Sequence, residues 1–165
     1  MSNRIQQLDD ETIGHIAAGE VVERPAQVVK ELIENSLDAN ASQITVTIEN
    51  GGFDLIMIDD NGHGINKDDI PLSVDRHATS KLQSKQDLAE IHSLGFRGEA
   101  LPSIGSVAKL SLASRVAGDR HGWQIECRAG SLSEATPDPV APGTVVEVKD
   151  LFFNTNIKYS LADNL

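Results

Sequence analysis

Glu31, Asn35 and Asp38 stand at i, i+4 and i+7 in the stretch VVKELIENSLDAN. A helix over residues 28–40 would bring all three to one side. A carboxylate and a carboxamide one turn apart can serve a single site. The carboxylate can take a proton from water, and the amide oxygen can ligate a hard cation such as Mg²⁺. The plain alternative is a solvated helix face, which also carries acids and amides. A second candidate is Asp59-Asp60-Asn61-Gly62-His63-Gly64, where an apolar run delivers an acid into a loop with glycines at 62 and 64. Gly62 and Gly64 would let the backbone approach a flat ligand closely. A fixed carboxylate only accepts hydrogen bonds, which suits an exocyclic amine such as that of adenine. A turn with a solvated acid has the same composition. His63 has no second histidine at ligand spacing, so it reads as a loop side chain rather than a metal ligand.

Two further stretches suit phosphate. Arg76-His77-Ala78-Thr79-Ser80-Lys81 is basic and hydroxyl-bearing, although a solvated loop looks similar. Gly95-Phe96-Arg97-Gly98-Glu99-Ala100-Leu101 is glycine-rich and opens a helix that tolerates Pro102 in its first turn. N–H groups exposed at such a start bind phosphate. No G-x-x-x-x-G-K-[ST] and no strand followed by G-x-G-x-x-G occurs, so neither the P-loop nor the dinucleotide fingerprint is present.

The elements that must position these residues follow from periodicity. Pro25 can sit in the first turn of the helix over 28–40, and Asn40 can close it in the left-handed conformation. Val28, Val29, Leu32, Ile33 and Leu37 form its packing side. Residues 43–49 alternate as a strand, and Asn50-Gly51-Gly52 makes a hairpin turn. The nearly all-apolar run 53–58 returns as a strand central in its sheet. Asn66 reads as the N-cap of a short helix through Val74, and Ser84 as that of another over 84–91. Strands follow over 110–115, 122–128, 131–136 and 144–149, with turns at Gly118, Gly130 and Pro142-Gly143. The pattern predicts an α+β fold: a two-layer sandwich of a mixed, mostly antiparallel sheet with helices on one face.

Composition sets the bounds. A chain of 165 residues suits one domain with a proper core. The 39% hydrophobic and 24% charged content is that of an ordinary globular protein. No apolar run reaches membrane-spanning length, and the N-terminus lacks a signal-peptide core. A single cysteine, Cys127, excludes an internal disulfide and reads as a small core side chain in a strand, as does Trp123 as packing. The net charge of −11 opposes tight nucleic-acid binding by this segment alone.

Taken together, IAAGEVVERPAQVVKELIENSLDA, DDNGHGI, RHATSK, SLGFRGEAL and the late Gly143-Thr144 before a strand resemble the N-terminal ATPase domains of the MutL family of DNA mismatch repair proteins. These belong with gyrase B, the histidine kinases and the large heat-shock chaperone, the Bergerat-type ATP-binding fold. The E-x-x-x-N and D-x-G-x-G pieces are common to that whole group. The resemblance covers about residues 8–151 and implies ATP and Mg²⁺ as ligands. It implies Glu31 as general base and Asn35 as the Mg²⁺ ligand; Asp38, by its spacing on the helix, is taken with them as a cofactor-binding residue. Asp60 would bind the adenine amine, Gly62 and Gly64 would shape the base pocket, and Thr144 would lie behind the base. Thr79, Ser80 and Lys81 would face the phosphates. Gly95, Phe96, Arg97, Gly98, Glu99, Ala100 and Leu101 would form the end of a lid over about 76–101.

It further implies an ATP-binding domain over 1–153, an N-terminal arm over 1–24 that crosses to a partner, and a divergent or truncated end over 154–165. Asn40 replaces the family's usual glycine, and residues 156–160 depart from the family's continuation. A second domain, which in the family supplies a lysine to the γ-phosphate, is expected to be missing from this segment. The full-length protein would be cytoplasmic and nucleoid-associated, an ATP-dependent homodimer working with the mismatch recognition protein MutS and with DNA. This fragment would be a monomer. A nucleotide-gated interaction module without turnover is the alternative reading. A protein kinase acting through His77 or His63 is a distant third, since the related kinases carry their phosphoacceptor histidine on a separate helical domain that is expected to be missing from this segment.

Overall fold

The computed structural model describes residues 22–75 and 100–155. The arm through residue 21, the Arg76–Lys81 loop, the expected helix over 84–91, residues 95–99 and the end beyond 155 lie outside the described residues.

Helix α1 spans Pro25–Asp38 and follows extended backbone at Arg24, with proline in its first turn. At its end Asn40 takes φ +58°, and the Ala41 N–H reaches back to the Ser36 carbonyl at 3.1 Å. That closure satisfies carbonyls that would otherwise lack partners, and asparagine tolerates the backbone it needs. Val28, Leu32 and Ser36 form the buried line of α1, with Val29 and Ile33 flanking it. Burying Val28 and Leu32 contributes about 1.5–3 kcal/mol each. Leu37, expected on this packed side, is instead 57% exposed. The i, i+4, i+8 line runs through Ser36, and Leu37 stands about 100° around the helix from it.

Strands β1 (Ile44–Glu49), β2 (Leu55–Asp60), β3 (Lys109–Arg115), β4 (Gly122–Arg128), β5 (Ser131–Leu132), β6 (Thr136–Asp138) and β7 (Gly143–Lys149) form one sheet. Its order is β1-β2-β7-β3-β4-β5, with β6 also on β4. All pairings among the described residues are antiparallel. β2 lies between β1 and β7, as its apolar run predicts. The turn at Asn50–Gly52 uses three successive positive φ values, of 50°, 62° and 93°. The expected single strand over 131–136 is interrupted. The Ser133 hydroxyl accepts the Glu126 N–H at 2.9 Å, replacing a ladder bond, so β5 and β6 are separate.

Two short helices complete the described fold. α2 spans Ile70–Ser73, and Asp69, not Asn66, occupies its N-cap position. Asn66 contributes through its backbone carbonyl, which accepts the N–H groups of Asp69 and Ile70 at 3.0 and 3.1 Å. α3 spans Ala100–Val107 and is buried almost throughout. Gly105 lets it lie close on β4, since a Cβ there would fall 2.7 Å from Cys127 Sγ.

The helices share one face of the sheet with its apolar rows. Ile58, Val146, Leu112 and Ile125 form one row, and Ile56, Val148, Leu110 and Cys127 the next, all buried. The third row reads Asp60, Thr144, Ser114 and Trp123. The core therefore turns polar at one end of the sheet, beneath the C-terminal half of α1.

Candidate functional site: the polar end of the sheet

Asp60 is the last residue of β2 and only 8% exposed. Both oxygens of its carboxylate are held. The Ser36 hydroxyl donates to Oδ2 at 2.6 Å, and the Gly62 N–H donates to Oδ1 at 2.8 Å. Charge-assisted bonds of this length are among the strong ones, so the group has one orientation. Each oxygen keeps a further lone-pair direction for an incoming donor. Ser36 was not among the residues expected at the site. Its signal was present, since i+8 from Val28 falls on the buried line, and a hydroxyl there requires a partner.

The loop after Asp60 is fastened to the connection between α1 and β1. Asn61 Oδ1 accepts the N–H groups of Ser42 and Gln43, each at 2.9 Å, and Asn61 Nδ2 donates to Ser42 Oγ. The His63 N–H donates to the Ala39 carbonyl at 2.9 Å. The His63 ring contacts the Gly64 carbonyl through Nδ1 at 2.8 Å, so Nδ1 carries a proton.

Gly62 and Gly64 make room for this chain's own backbone. A Cβ on Gly62 would meet Ala39 Cβ and the Ala39 carbonyl at 2.8 Å, and one on Gly64 would lie 2.1 Å from the Arg115 carbonyl. Their missing side chains let this chain's own backbone close up around the loop. Gly143 does the same at the facing strand, with φ +125° and a Cβ position 2.0 Å from the Asp60 carbonyl.

Thr144 is Asp60's register partner on β7, 9% exposed, and Ser114 is Thr144's partner on β3. Neither the seryl hub at 114 nor the clamp at Gly143 was expected as part of the site. Beyond Ser114, the Trp123 ring lies under Lys67 Nζ at 4.2 Å and beside His121 at 5.1 Å, a packed aromatic as expected.

Glu31 and Asn35 are half-buried on α1 and Asp38 is exposed. Asn35 is adjacent to Ser36, so the carboxamide is one residue from the group that holds Asp60. Glu31 lies one turn farther toward the helix N-terminus. The structure thus brings Asp60, Gly62, Gly64 and Thr144 to one end of the sheet, with Asn35 and Glu31 on the helix that Ser36 ties to Asp60. Asp38 lies at the exposed last residue of α1. Ala100 and Leu101 start α3 and pack against the core, so what they can offer a ligand is backbone N–H. Thr79, Ser80, Lys81, Gly95, Phe96, Arg97, Gly98 and Glu99 lie outside the described residues.

Cys127 belongs to the core. Burial pushes its thiol above the ordinary range, while a hydrogen bond with the Gly130 backbone pulls the other way. Among the described residues, no group of three or more His, Cys, Asp or Glu side chains could hold a metal. No helix among them is long and apolar enough to cross a membrane.

A family model described as histidine kinase-, DNA gyrase B- and HSP90-like ATPase matches residues 23–144, which span α1 through Thr144. The chain belongs to this ATPase family. Within it, the similar proteins include the DNA mismatch repair protein MutL of Syntrophotalea carbinolica, 51% identical over 155 residues. That match covers 94% of this chain and 25% of the relative. MutL of Xanthomonas axonopodis pv. citri is 56% identical over 150 residues, covering 91% of this chain and 24% of the relative. The chain therefore spans about a quarter of the length of the curated relatives it matches.

Among solved structures, the Aquifex aeolicus MutL ATPase domain complexed with ADP aligns with a TM-score of 0.64 at 36% identity. It covers 85% of this chain and 48% of that one. The N-terminal domain of a DNA repair protein aligns at 0.74 and 32% identity, over 92% of this chain and 43% of that one. These matches bear out the MutL-type resemblance and the α+β sandwich of this family.

Proposed function

We propose that the chain binds ATP between α1 and the polar end of the sheet, and that it is the ATP-hydrolysing part of a MutL-like mismatch repair protein. The observation that carries this reading is the Asp60 carboxylate, buried and fixed by Gly62 and by Ser36, which follows Asn35 on α1. A fixed, buried acceptor, anchored by a helix that also carries a carboxamide and a carboxylate one turn apart, suits a purine nucleotide with its counter-ion. A similar chain of the same family is known as a complex with ADP.

In this reading Asp60 accepts the adenine 6-amino group, and Thr144 lies behind the base. Gly62 and Gly64 hold the loop that shapes the pocket. Glu31 takes the proton from the attacking water, as a carboxylate one turn from the phosphate end can do. Asn35 would hold Mg²⁺ through its amide oxygen, with Asp38 on the same side of the helix. Mg²⁺ is commonly held by one or two protein ligands together with phosphate oxygens and water, so a site lacking an acidic cluster fits it. When bound, the ion would neutralise charge developing on the phosphates. Thr79, Ser80 and Lys81 face the phosphates, and the backbone of Gly95 to Leu101 closes over them as a lid. In the longer protein, lid ordering drives homodimerisation through the N-terminal arm and engagement of MutS and DNA.

Phosphate release and equilibrium binding, measured together on Glu31→Ala, test the catalytic assignment. The expected result is retained ATP binding with turnover reduced by about a hundredfold or more, within the usual worth of a general base. Turnover equal to the unaltered chain would remove Glu31 from the role. Background turnover in both proteins, with binding intact, would favour a nucleotide-gated interaction module instead.

A further inference from the structure

The polar row contains a residue for which the ATP reading has no use. Ser114 is wholly buried and makes three polar contacts. It lies 2.8 Å from the Ile65 N–H, 2.9 Å from the Gly143 carbonyl and 2.7 Å from Thr144 Oγ1. A serine hydroxyl has one proton to give and two lone pairs to receive with. The Ile65 N–H can only donate, and the Gly143 carbonyl can only accept. One assignment satisfies all three contacts. Ser114 donates to Gly143, and it accepts from Ile65 and from the Thr144 hydroxyl. The Thr144 proton is thereby committed toward β3, away from Asp60 on the other side.

We propose that Ser114 is a positioning residue that sets the hydrogen-bond polarity of the base pocket. By receiving the Thr144 proton, it leaves Thr144 Oγ1 an acceptor, like the Asp60 carboxylate beside it. Facing the 6-position of a purine, two acceptors can each take one proton of a 6-amino group, whereas a 6-oxo acceptor is repelled by both. This inference rests on the ATP-site reading and adds the source of its base selectivity. Without Ser114, the Thr144 hydroxyl can rotate and donate, so a 6-oxo purine gains a partner.

The test is calorimetric titration of the full chain with ATP and with ITP, each with Mg²⁺, in the unaltered protein, Ser114→Ala and Thr144→Val. The unaltered chain is expected to prefer ATP. Ser114→Ala is expected to narrow that preference about fivefold, the worth of one net hydrogen bond. A role in structure alone would weaken both nucleotides alike and leave their ratio unchanged. In a Thr144→Val background, Ser114→Ala should leave the ratio where Thr144→Val put it, because the proton it controls is gone.

Ser114→Cys, whose thiol is a much weaker hydrogen-bonding partner than the hydroxyl, serves the same comparison if the alanine variant does not fold. Clear ATP preference in the unaltered chain with an unchanged ratio in the folded Ser114 variants overturns the proposal and spares the ATP site. Equal affinity for ATP and ITP in the unaltered chain overturns it as well. Binding of neither nucleotide removes the ATP-site reading, and the proposal with it.

Discussion

Replacing Ser36 by alanine isolates the contact that joins α1 to the base end of the sheet. The Ser36 hydroxyl donates to Asp60 Oδ2 at 2.6 Å, and both residues are buried, at 3% and 8% exposure. A hydrogen bond to a charged group contributes about 1.5–3 kcal/mol, and removing its donor leaves the buried acceptor unsatisfied. The void is only one oxygen atom in size, so the lost hydrogen bond should dominate over packing. A loss of about 2 kcal/mol in the nucleotide-free chain is expected, or a fall in melting temperature of roughly 4–8 °C for a chain of this length.

Urea denaturation reads this as a lower midpoint with an unchanged slope. A double-mutant cycle with Asp60→Asn assigns it to the pair. The coupling should be at least about 1 kcal/mol, since the two groups are in direct contact. A loss below about 0.5 kcal/mol, or additive single effects, would show instead that solvent satisfies Asp60 as well as Ser36 does.

Gly143→Ala places a Cβ 2.0 Å from the Asp60 carbonyl at φ +125°, so it should cost more than about 3 kcal/mol or prevent folding, as urea denaturation and circular dichroism would show. Leu37→Ser should change stability by less than about 0.5 kcal/mol, whereas Leu32→Ala should cost about 2–5 kcal/mol by the same measurement, because only Leu32 is buried. Cys127 is held protonated by burial in the folded chain, so above the ordinary thiol range the unfolded chain binds fewer protons and folding stability falls as pH rises. The loss should begin near the unfolded thiol value and continue to the raised folded one. Denaturation against pH should show it in the unaltered chain and not in Cys127→Ala.

Much of this arrangement was legible in the residues. Alternation located β1, β3, β4 and β7 to within a residue, and the apolar run of β2 foretold neighbours on both sides. The spacing of Glu31 and Asn35 fixed them on α1, and Asp60 stood out as an acid at the end of a buried strand. What escaped was set by contacts distant in sequence. Leu37 reads as apolar at helical spacing, yet the buried line through Val28 and Leu32 continues to Ser36, whose partner Asp60 is 24 residues away. The glycines at 62 and 64 announced a close approach, but not that Ala39 and Arg115 would be what approaches. Ser114 is one serine among many in the chain. Its importance exists only because β3 and β7 pair so that it meets Thr144 and Gly143. The break at Ser133 likewise depends on a side chain competing with the backbone ladder, which alternation cannot register.

A purine nucleotide seated on Asp60 should depend on that carboxylate for its affinity. The most direct measurement is calorimetric titration with a non-hydrolysable ATP analogue and Mg²⁺, on the unaltered chain and Asp60→Asn side by side. Saturable binding in the unaltered chain is expected, with Asp60→Asn weaker by tenfold or more, because the variant puts an amide donor where the base offers its own amine. Equal affinity in the two proteins, or no binding in the unaltered chain, would contradict it.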